Sequence, residues 1–392
     1  MKNFLQRYQI RLAIGLWALL LGIVGANVLS GNKHTVTGAY AEASEAWMGG
    51  GHMYSGGSMG FLYMPQAAIL YIPFYLLPGH WGDVAWRFIS VCAFLFAVFR
   101  WESLGRECVY PDGKPGQLFP LFTLVSVPLA FSAVRNGQAT ILMMSLMILA
   151  AMEIRREKWW SASWMLGLCL AIKPLALVMI LLAGTLFPTL ALRFAVVLAF
   201  VFLAPFLFQE HGYVQSQYIG YLEQLKTTSR LAGEGYLANV FSISKVFGVR
   251  IPDGFQRIMQ LVFAAGTLGA CWFAKRRVPS AWLSILLYSF STCYLMLFNP
   301  RTENNTYAMM GPVLGMFIAY EAFKRVRKPY VIALGFGALC TVGSYEFGKL
   351  VTPPEKSVWL APLVCALFSV YLVFQVSGDK LLLDNPKRTS QE

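Results

Sequence analysis

Long apolar runs, separated by short polar stretches, recur along this 392-residue chain. A helix needs about 20 mostly apolar residues to cross the hydrocarbon core of a bilayer, and many of the runs approach that length. The runs lie at residues 12–30, 63–78, 84–99, 117–133, 138–152, 161–187, 194–208, 258–274, 280–298, 308–323, 330–345 and 358–376. The pattern predicts an all-α polytopic membrane protein, a bundle of roughly 10–13 transmembrane or re-entrant helices.

Charged residues make up only 13% of the chain, against about 25% in soluble domains. No stretch has the composition of a soluble module, so we expect a single membrane domain over residues 1–392. Its main polar segments are a first loop at 31–62, a long loop at 209–257 and a tail at 378–392. The first apolar run is too long for the core of a signal peptide and is interpreted as a retained helix.

The net charge of +13 comes from Lys and Arg residues that lie directly beside the apolar runs. This placement is typical of membrane topology rather than of nucleic-acid binding. With both termini in the cytoplasm, the predicted inner segments hold 20 of the 32 Lys and Arg residues. The two long loops and the polar turns near 135–138 and 301–305 then face the outside. The seven cysteines have no metal-like spacing and are expected to be packing residues.

Two apolar runs do not fit this topology as ordinary spanning helices. The charge distribution allows only an odd number of membrane crossings between the first loop at 31–62 and the next inner segment. Two apolar runs, 63–78 and 84–99, lie between them, so the run at 63–78 must be re-entrant or very short. The run at 161–187 is longer than a bilayer requires, and Lys173 and Pro174 lie in its middle. Proline removes a backbone hydrogen bond and breaks a helix. We therefore expect two half-helices that meet near Lys173.

Polar groups at membrane depth are costly and by default mark a functional cavity. Gln138 opens a helix after the turn Arg135-Asn136-Gly137, where free N–H groups suit an anion or a sugar hydroxyl; ordinary helix capping is the alternative. Lys173 suits a phosphate, although its ammonium group could instead snorkel to the membrane surface.

A second polar turn, near residues 301–305, lies between two apolar runs. Arg301, Glu303, Asn304, Asn305 and Tyr307 form a compact set of donors and acceptors there, which suits ligand binding. The alternative is a salt-bridged turn in which Arg301 and Glu303 neutralise each other.

The first loop contains a helical spacing at Tyr40, Ala43 and Trp47, which predicts a short interfacial helix with Glu42 and Glu45 on nearby faces. A solvated surface helix is the alternative. The long loop at 209–257 mixes aromatic and hydrogen-bonding residues, as sugar or headgroup recognition requires and as interfacial anchoring would also produce.

Three stretches resemble glycosyltransferase family 87, membrane transferases of the GT-C type that include polyprenyl-phosphate-mannose-dependent mannosyltransferases. The first covers residues 40–78, with Tyr40, Tyr54 and a Tyr-Met-Pro step. The second is Gly137-Gln138 followed by GLCLAIKP at 167–174. The third is the turn at residues 299–307. Together they span roughly residues 35–320, and the resemblance implies a GT-C-like bundle with a cavity on the outer face.

One family residue is missing from this chain. Family members carry an Asp shortly before the first-loop Tyr as the catalytic base, whereas Val-Thr-Gly-Ala precedes Tyr40 here and residues 31–62 contain no Asp. The candidate replacements are Glu42, Glu45, Glu303 and His34.

The resemblance implies a metal-independent, inverting transfer of a hexose, with mannose the expected sugar. The donor would be a polyprenyl-phosphate sugar and the acceptor a glycan or glycolipid at the outer face of a bacterial plasma membrane, with no cofactor. The candidate substrate-binding residues are Tyr40, Arg135, Asn136, Gln138, Lys173, Arg301, Asn304, Asn305 and Tyr307. A lipid-linked saccharide transporter or scramblase, or a catalytically degenerate family member, remains the alternative, because broken helices also occur in transporters.

Overall fold

A computed structural model describes residues 2–31, 35–54, 60–232 and 237–378. All regular structure within these residues is helical, with no strand among them. The helices, numbered in chain order, are α1 (Lys2–Leu29), α2 (Thr37–Gly49), α3 (Pro65–Tyr75), α4 (Trp81–Val109), α5 (Phe119–Arg135), α6 (Thr140–Arg155), α7 (Trp159–Ile172), α8 (Leu177–Leu186), α9 (Pro188–Leu203), α10 (His211–Ala232), α11 (Val240–Val246), α12 (Asp253–Arg277), α13 (Ser280–Phe298), α14 (Met310–Ala319), α15 (Lys328–Val342), α16 (Ser344–Gly348) and α17 (Leu360–Ser377).

Many of these helices have the length and composition of membrane spans. Within the described residues, six are long and apolar enough to cross a bilayer: Tyr8–Leu29, Trp81–Val109, Pro188–Leu207, Asp253–Arg277, Ser280–Phe298 and Pro354–Ser377. Shorter apolar helices at Phe119–Arg135, Trp159–Ile172, Pro174–Leu186 and Lys328–Val342 lie between them. The predicted all-α polytopic membrane protein is confirmed.

Helix α13 lies at the centre of the bundle. Its most apolar window is 94% buried, whereas that of α12 at the periphery is only 11% buried. Two buried hydroxyls of α13 bond back along their own helix, that of Ser289 to the carbonyl of Ile285 (2.7 Å) and that of Ser291 to the carbonyl of Leu287 (2.7 Å). A buried polar group that is paired in this way avoids most of the desolvation penalty, so a polar-containing helix can fill the core.

The two irregular apolar runs have the forms predicted for them. Helix α3 has 11 residues and is therefore only about 16 Å long at 1.5 Å per residue, too short to cross the core. Helix α7 ends at Ile172, Lys173 has an extended backbone (φ −153°, ψ 122°), and a 3-10 turn at Pro174–Ala176 leads into α8. The predicted helix break at Lys173 is confirmed.

The two long polar segments are largely helical. The predicted helix of the first loop is α2, which buries Tyr40, Ala43 and Trp47. The segment at 209–257, predicted only as a loop, instead forms α10, α11 and the start of α12. The buried positions of α10 repeat at three- and four-residue spacing, as an amphipathic helix requires: Val214, Gln217, Tyr221, Gln224 and Thr228. Three of these five are polar, so hydropathy alone does not reveal the stripe. The predicted tail lies, from residue 379, outside the described residues.

Candidate functional site

The turn between α5 and α6 is tightly packed. Gly137 has a left-handed backbone (φ 68°), which glycine adopts without steric cost. A Cβ atom at this position would lie 2.6 Å from Cγ2 of Thr37 and 3.0 Å from Cζ of Arg87. The turn thus rests against the start of α2 on one side and against α4 on the other, and only glycine fits there.

Arg87, on α4, holds this turn in place. Its side chain is only 3% exposed. The guanidinium donates to the carbonyls of Val134 (3.1 Å) and Arg135 (3.0 Å) at the end of α5. It also donates to Oγ1 of Thr35 (2.9 Å) and forms an ion pair with Asp83. The last carbonyls of a helix have no partner within the helix and carry partial negative charge. Arg87 therefore caps α5 and ties it to the segment that leads into α2.

Arg87 was missed as a site residue by sequence reasoning. A signal for it exists, because it is a lone arginine inside the apolar run at 84–99 and such residues are rarely placed there without a partner. Its neighbour Trp86 acts on the same turn by donating its indole N–H to the carbonyl of Gly137 (2.9 Å).

The central cavity, of about 390 Å³, lies where the turn after α5, the break after α7 and the turn after α13 meet. Its polar lining includes Tyr40, Tyr63, Gln138, Lys173, Arg301, Glu303 and Thr306. These residues are far apart in sequence and were predicted to converge on one face. The structure places Gln138, Lys173, Arg301 and Glu303 around the same space.

Lys173 reaches this cavity because the chain is extended at the helix break. Its ammonium group donates to Oγ1 of Thr140 (2.7 Å) and lies 5.9 Å from the centre of the Tyr63 ring. These contacts hold the ammonium group at the wall of the central cavity. A cation held in this way suits an anionic ligand.

Glu303 is the carboxylate that lines the central cavity. It is exposed to the cavity side and accepts hydrogen bonds from Nδ2 of Asn305 (3.0 Å) and Nε2 of Gln138 (3.5 Å). Two elements separated by more than 160 residues therefore position its Oε2 atom. A carboxylate held at the edge of a cavity has the geometry of a general base.

The other candidate bases lie elsewhere. Glu42 and Glu45 are exposed residues of α2 that do not line the central cavity. At about 100° per residue, Glu42 lies about 200° and Glu45 about 140° around the helix from Tyr40, so both lie on the face away from it. His34 lies outside the described residues.

Several predicted substrate-binding residues do not line the central cavity either. The side chains of Arg135 and Asn136 are half-buried and lie within hydrogen-bond distance of each other (3.5 Å), while the carbonyl of Asn136 accepts from the N–H of Val36 (3.0 Å). Asn304 and Asn305 flank the cavity, and Asn305 acts through Glu303.

Tyr307 differs most from its prediction. It is 1% exposed, and its hydroxyl donates to the carbonyls of Ala238 (3.1 Å) and Met296 (3.4 Å). In this position it joins the start of α11 to α13, and it has no surface on the cavity. The structure corrects Tyr307 from a ligand contact to a packing residue.

An apolar groove of about 300 Å³ adjoins the central cavity. Helices α2, α3, α4, α6 and α7 supply its walls, which include Ala67, Leu70, Phe74, Trp86, Ile89, Leu142, Leu146 and Leu168. Tyr40 and Tyr63 line both spaces. Their hydroxyls lie 3.1 Å apart, and that of Tyr40 accepts from the N–H of Ala139 (3.3 Å). Burial raises the pKa of Tyr40, so this hydroxyl stays neutral at the boundary.

Glycosyltransferase family 87 is matched by residues 61–300, more than half of the chain. This chain belongs to that family. The match contains Gln138 and Lys173, and it stops just before Arg301 and Glu303. Helix α2 precedes the matched residues, and with it Tyr40, Glu42 and Glu45.

No curated protein matches this family 87 chain. Its described residues contain no group of three or more His, Cys, Asp and Glu side chains placed to hold a metal ion.

Proposed function

We propose that this glycosyltransferase moves a hexose, with mannose the first choice, from a polyprenyl-phosphate sugar to a hydroxyl of a glycan or glycolipid. The observation that carries the proposal is the junction of an apolar groove with a cationic cavity at Tyr40 and Tyr63. A polyprenyl-phosphate sugar has the same division, with a hydrocarbon chain on one side of the phosphate and a polar sugar on the other.

The apolar groove suits the isoprene units next to the phosphate. Leu70, Ile89 and Leu168 line it and are each about 40% exposed or more, so a chain could enter sideways from the lipid. Burial of each CH₂ group contributes about 0.8 kcal/mol. A few isoprene units would therefore supply much of the donor affinity.

The cations of the central cavity suit the donor phosphate. Lys173 would act as a point charge on the phosphate oxygens, and Arg301 could bind two of them with its planar guanidinium. Gln138 adds an amide donor beside Glu303. Positive charge at this place also stabilises the leaving group, because the bond that breaks leaves an additional negative charge on the phosphate.

Glu303 is the proposed general base. In a single displacement, the acceptor oxygen forms a bond to the anomeric carbon while the bond from that carbon to the phosphate oxygen breaks. Polyprenyl phosphate leaves with the electron pair, and Glu303 takes the proton of the acceptor hydroxyl. Attack from the face opposite the phosphate inverts the anomeric centre. The leaving phosphate is a stable anion, so the step requires no cofactor.

The corresponding location is the outer face of a bacterial plasma membrane, with both chain termini in the cytoplasm. The charge distribution supports this orientation. A lipid-linked saccharide transporter is the second candidate, because transporter sites commonly contain broken helices and this chain has one at Lys173. A transporter would need the cations and the groove but no base.

The test uses the full chain in lipid nanodiscs and measures sugar release from a synthetic polyprenyl-phosphate mannose. Glu303→Gln keeps the size of the side chain and removes its basicity, so we expect turnover to fall about 10² to 10⁴-fold while polyprenyl-phosphate binding persists. Glu42→Gln and Glu45→Gln are the matched controls and retain turnover. Wild-type turnover in Glu303→Gln, or its loss only in Glu42→Gln or Glu45→Gln, would remove Glu303 from this role.

A further inference from the structure

A second polar cavity, of about 450 Å³, lies along a neighbouring face of α10. We call it the α10 cavity; its polar lining residues are His52, Ser216, Gln217, Glu223, Gln224 and Thr227, and Tyr54 and Gly220 complete it. No residue of this set lines the central cavity or the apolar groove. The proposed donor site therefore leaves it unused.

The walls of the α10 cavity are held together by hydrogen bonds between α10 and the segment after α2. The N–H of Met53 donates to Oε1 of Gln217 (3.2 Å), and Gln217 is only 1% exposed. The hydroxyl of Tyr213 donates to the carbonyls of Gly51 (2.8 Å) and Ala46 (3.1 Å). The cavity is consequently formed before any ligand arrives.

The chemistry of the lining selects the class of ligand. The exposed lining residues offer donors and acceptors: an imidazole, a carboxylate and two hydroxyls that can still accept, from His52, Glu223, Ser216 and Thr227. The ring of Tyr54 adds a flat apolar face. Gly220 lets that ring approach, since a Cβ atom there would lie 3.0 Å from Cδ2 of Tyr54. Hydrogen-bonding groups around an aromatic ring suit a sugar, whose hydroxyls surround a less polar ring face.

Other ligand classes fit the α10 cavity less well. No Lys or Arg is among the described residues that line it, and the carboxylate of Glu223 would repel a phosphate. One imidazole and one carboxylate fall short of a metal-binding group. A lipid chain would take the exposed carboxylate of Glu223 and the exposed imidazole of His52 out of water. A neutral, hydroxyl-rich ligand avoids all three penalties.

Only a thin aromatic wall separates the α10 cavity from the central cavity. The rings of Tyr54 and Tyr221 have their centres 6.1 Å apart, and the hydroxyl of Tyr54 donates to the carbonyl of Tyr63 (2.9 Å). Tyr221 and Tyr63 both line the central cavity. We infer that the α10 cavity binds a saccharide and holds the part of the acceptor that is remote from the hydroxyl reacting in the central cavity, which rests on the proposed transferase function.

The experiment measures the Kd of the full chain in nanodiscs for a linear manno-oligosaccharide, without any donor. Gly220→Leu places a side chain in the cavity, and Gly212→Leu is the same substitution in the same helix where no atom lies within 4 Å of the added Cβ. We expect Gly220→Leu to weaken saccharide binding at least tenfold and Gly212→Leu to leave it unchanged. Glu223→Ala, on an exposed position of α10, should weaken it severalfold without a change in folding.

The control Lys173→Ala separates this inference from the donor proposal. It should leave the saccharide Kd unchanged and weaken binding of polyprenyl phosphate. Two results would overturn the inference. One is equal saccharide affinity of the three variants Gly212→Leu, Gly220→Leu and Glu223→Ala. The other is the absence of saccharide binding by the wild type at millimolar concentrations. If the saccharide binds as expected but no sugar is released from the donor, the proposed transferase function fails and the binding site stands.

Discussion

Replacement of Gly137 by alanine tests whether the turn between α5 and α6 is held as tightly as its packing indicates. Two costs apply to Gly137→Ala. The left-handed backbone (φ 68°) costs a non-glycine residue about 1–2 kcal/mol. The added Cβ would also lie 2.6 Å from Cγ2 of Thr37 and 3.0 Å from Cζ of Arg87, and overpacking of this kind typically costs about 1–3 kcal/mol. We expect a total loss of about 2–5 kcal/mol in the free energy of unfolding.

Gly79→Ala isolates the second cost. Gly79 is also left-handed (φ 57°), but no atom lies within 4 Å of its added Cβ, so this variant should lose only the backbone term of about 1–2 kcal/mol. Both variants are followed by thermal unfolding in the same detergent, together with their affinity for polyprenyl phosphate. Gly137→Ala should unfold at a lower temperature than Gly79→Ala, and it alone should lose affinity, because it displaces Gln138. Equal unfolding temperatures would refute the argument from crowding.

Two further substitutions probe the contacts of Arg87 and the apolar groove. Arg87→Leu leaves the Asp83 carboxylate without its ion-pair partner and the last carbonyls of α5 uncapped, so the free energy of unfolding should fall by about 3–5 kcal/mol; a thermal midpoint equal to that of the wild type would contradict the assigned role. Leu146→Trp should fill the apolar groove and weaken binding of long-chain polyprenyl phosphate at least tenfold while sparing a short-chain analogue, whereas Leu367→Trp on the exposed face of α17 should change neither affinity.

The sequence predicts most of the helices because hydropathy and proline chemistry act locally. The run at 280–298 coincides with α13, and the break at Lys173 follows from the proline beside it. Helix α10 escaped this reasoning because polar residues share its buried stripe. Gln217, for example, is buried only because the N–H of Met53 provides a partner more than 160 residues away. No local pattern contains that information.

The site was predictable in part for the same reason. Polar residues inside or directly beside apolar runs pointed to Gln138, Lys173, Arg301 and Glu303, because burial of such groups is costly wherever the chain places them. The roles of individual residues depend instead on distant partners. Tyr307 resembles a ligand contact in sequence, yet its hydroxyl hydrogen-bonds to the carbonyls of Ala238 and Met296 instead. From the sequence alone, Arg87 resembles an ordinary basic residue. Its role depends on the end of α5, whose carbonyl at Val134 accepts its hydrogen bond.

The residues of the central cavity lie where regular helices stop. Gln138 follows the end of α5, Lys173 lies at the break after α7, and Glu303 lies in the turn after α13. Backbone groups at such points lack partners within a helix, and in a membrane they must be satisfied by protein or by a water-lined space. The ends of these helices therefore have to meet one another or a polar cavity. The same requirement that stabilises the broken helices thus brings the cation, the amide and the carboxylate into one place.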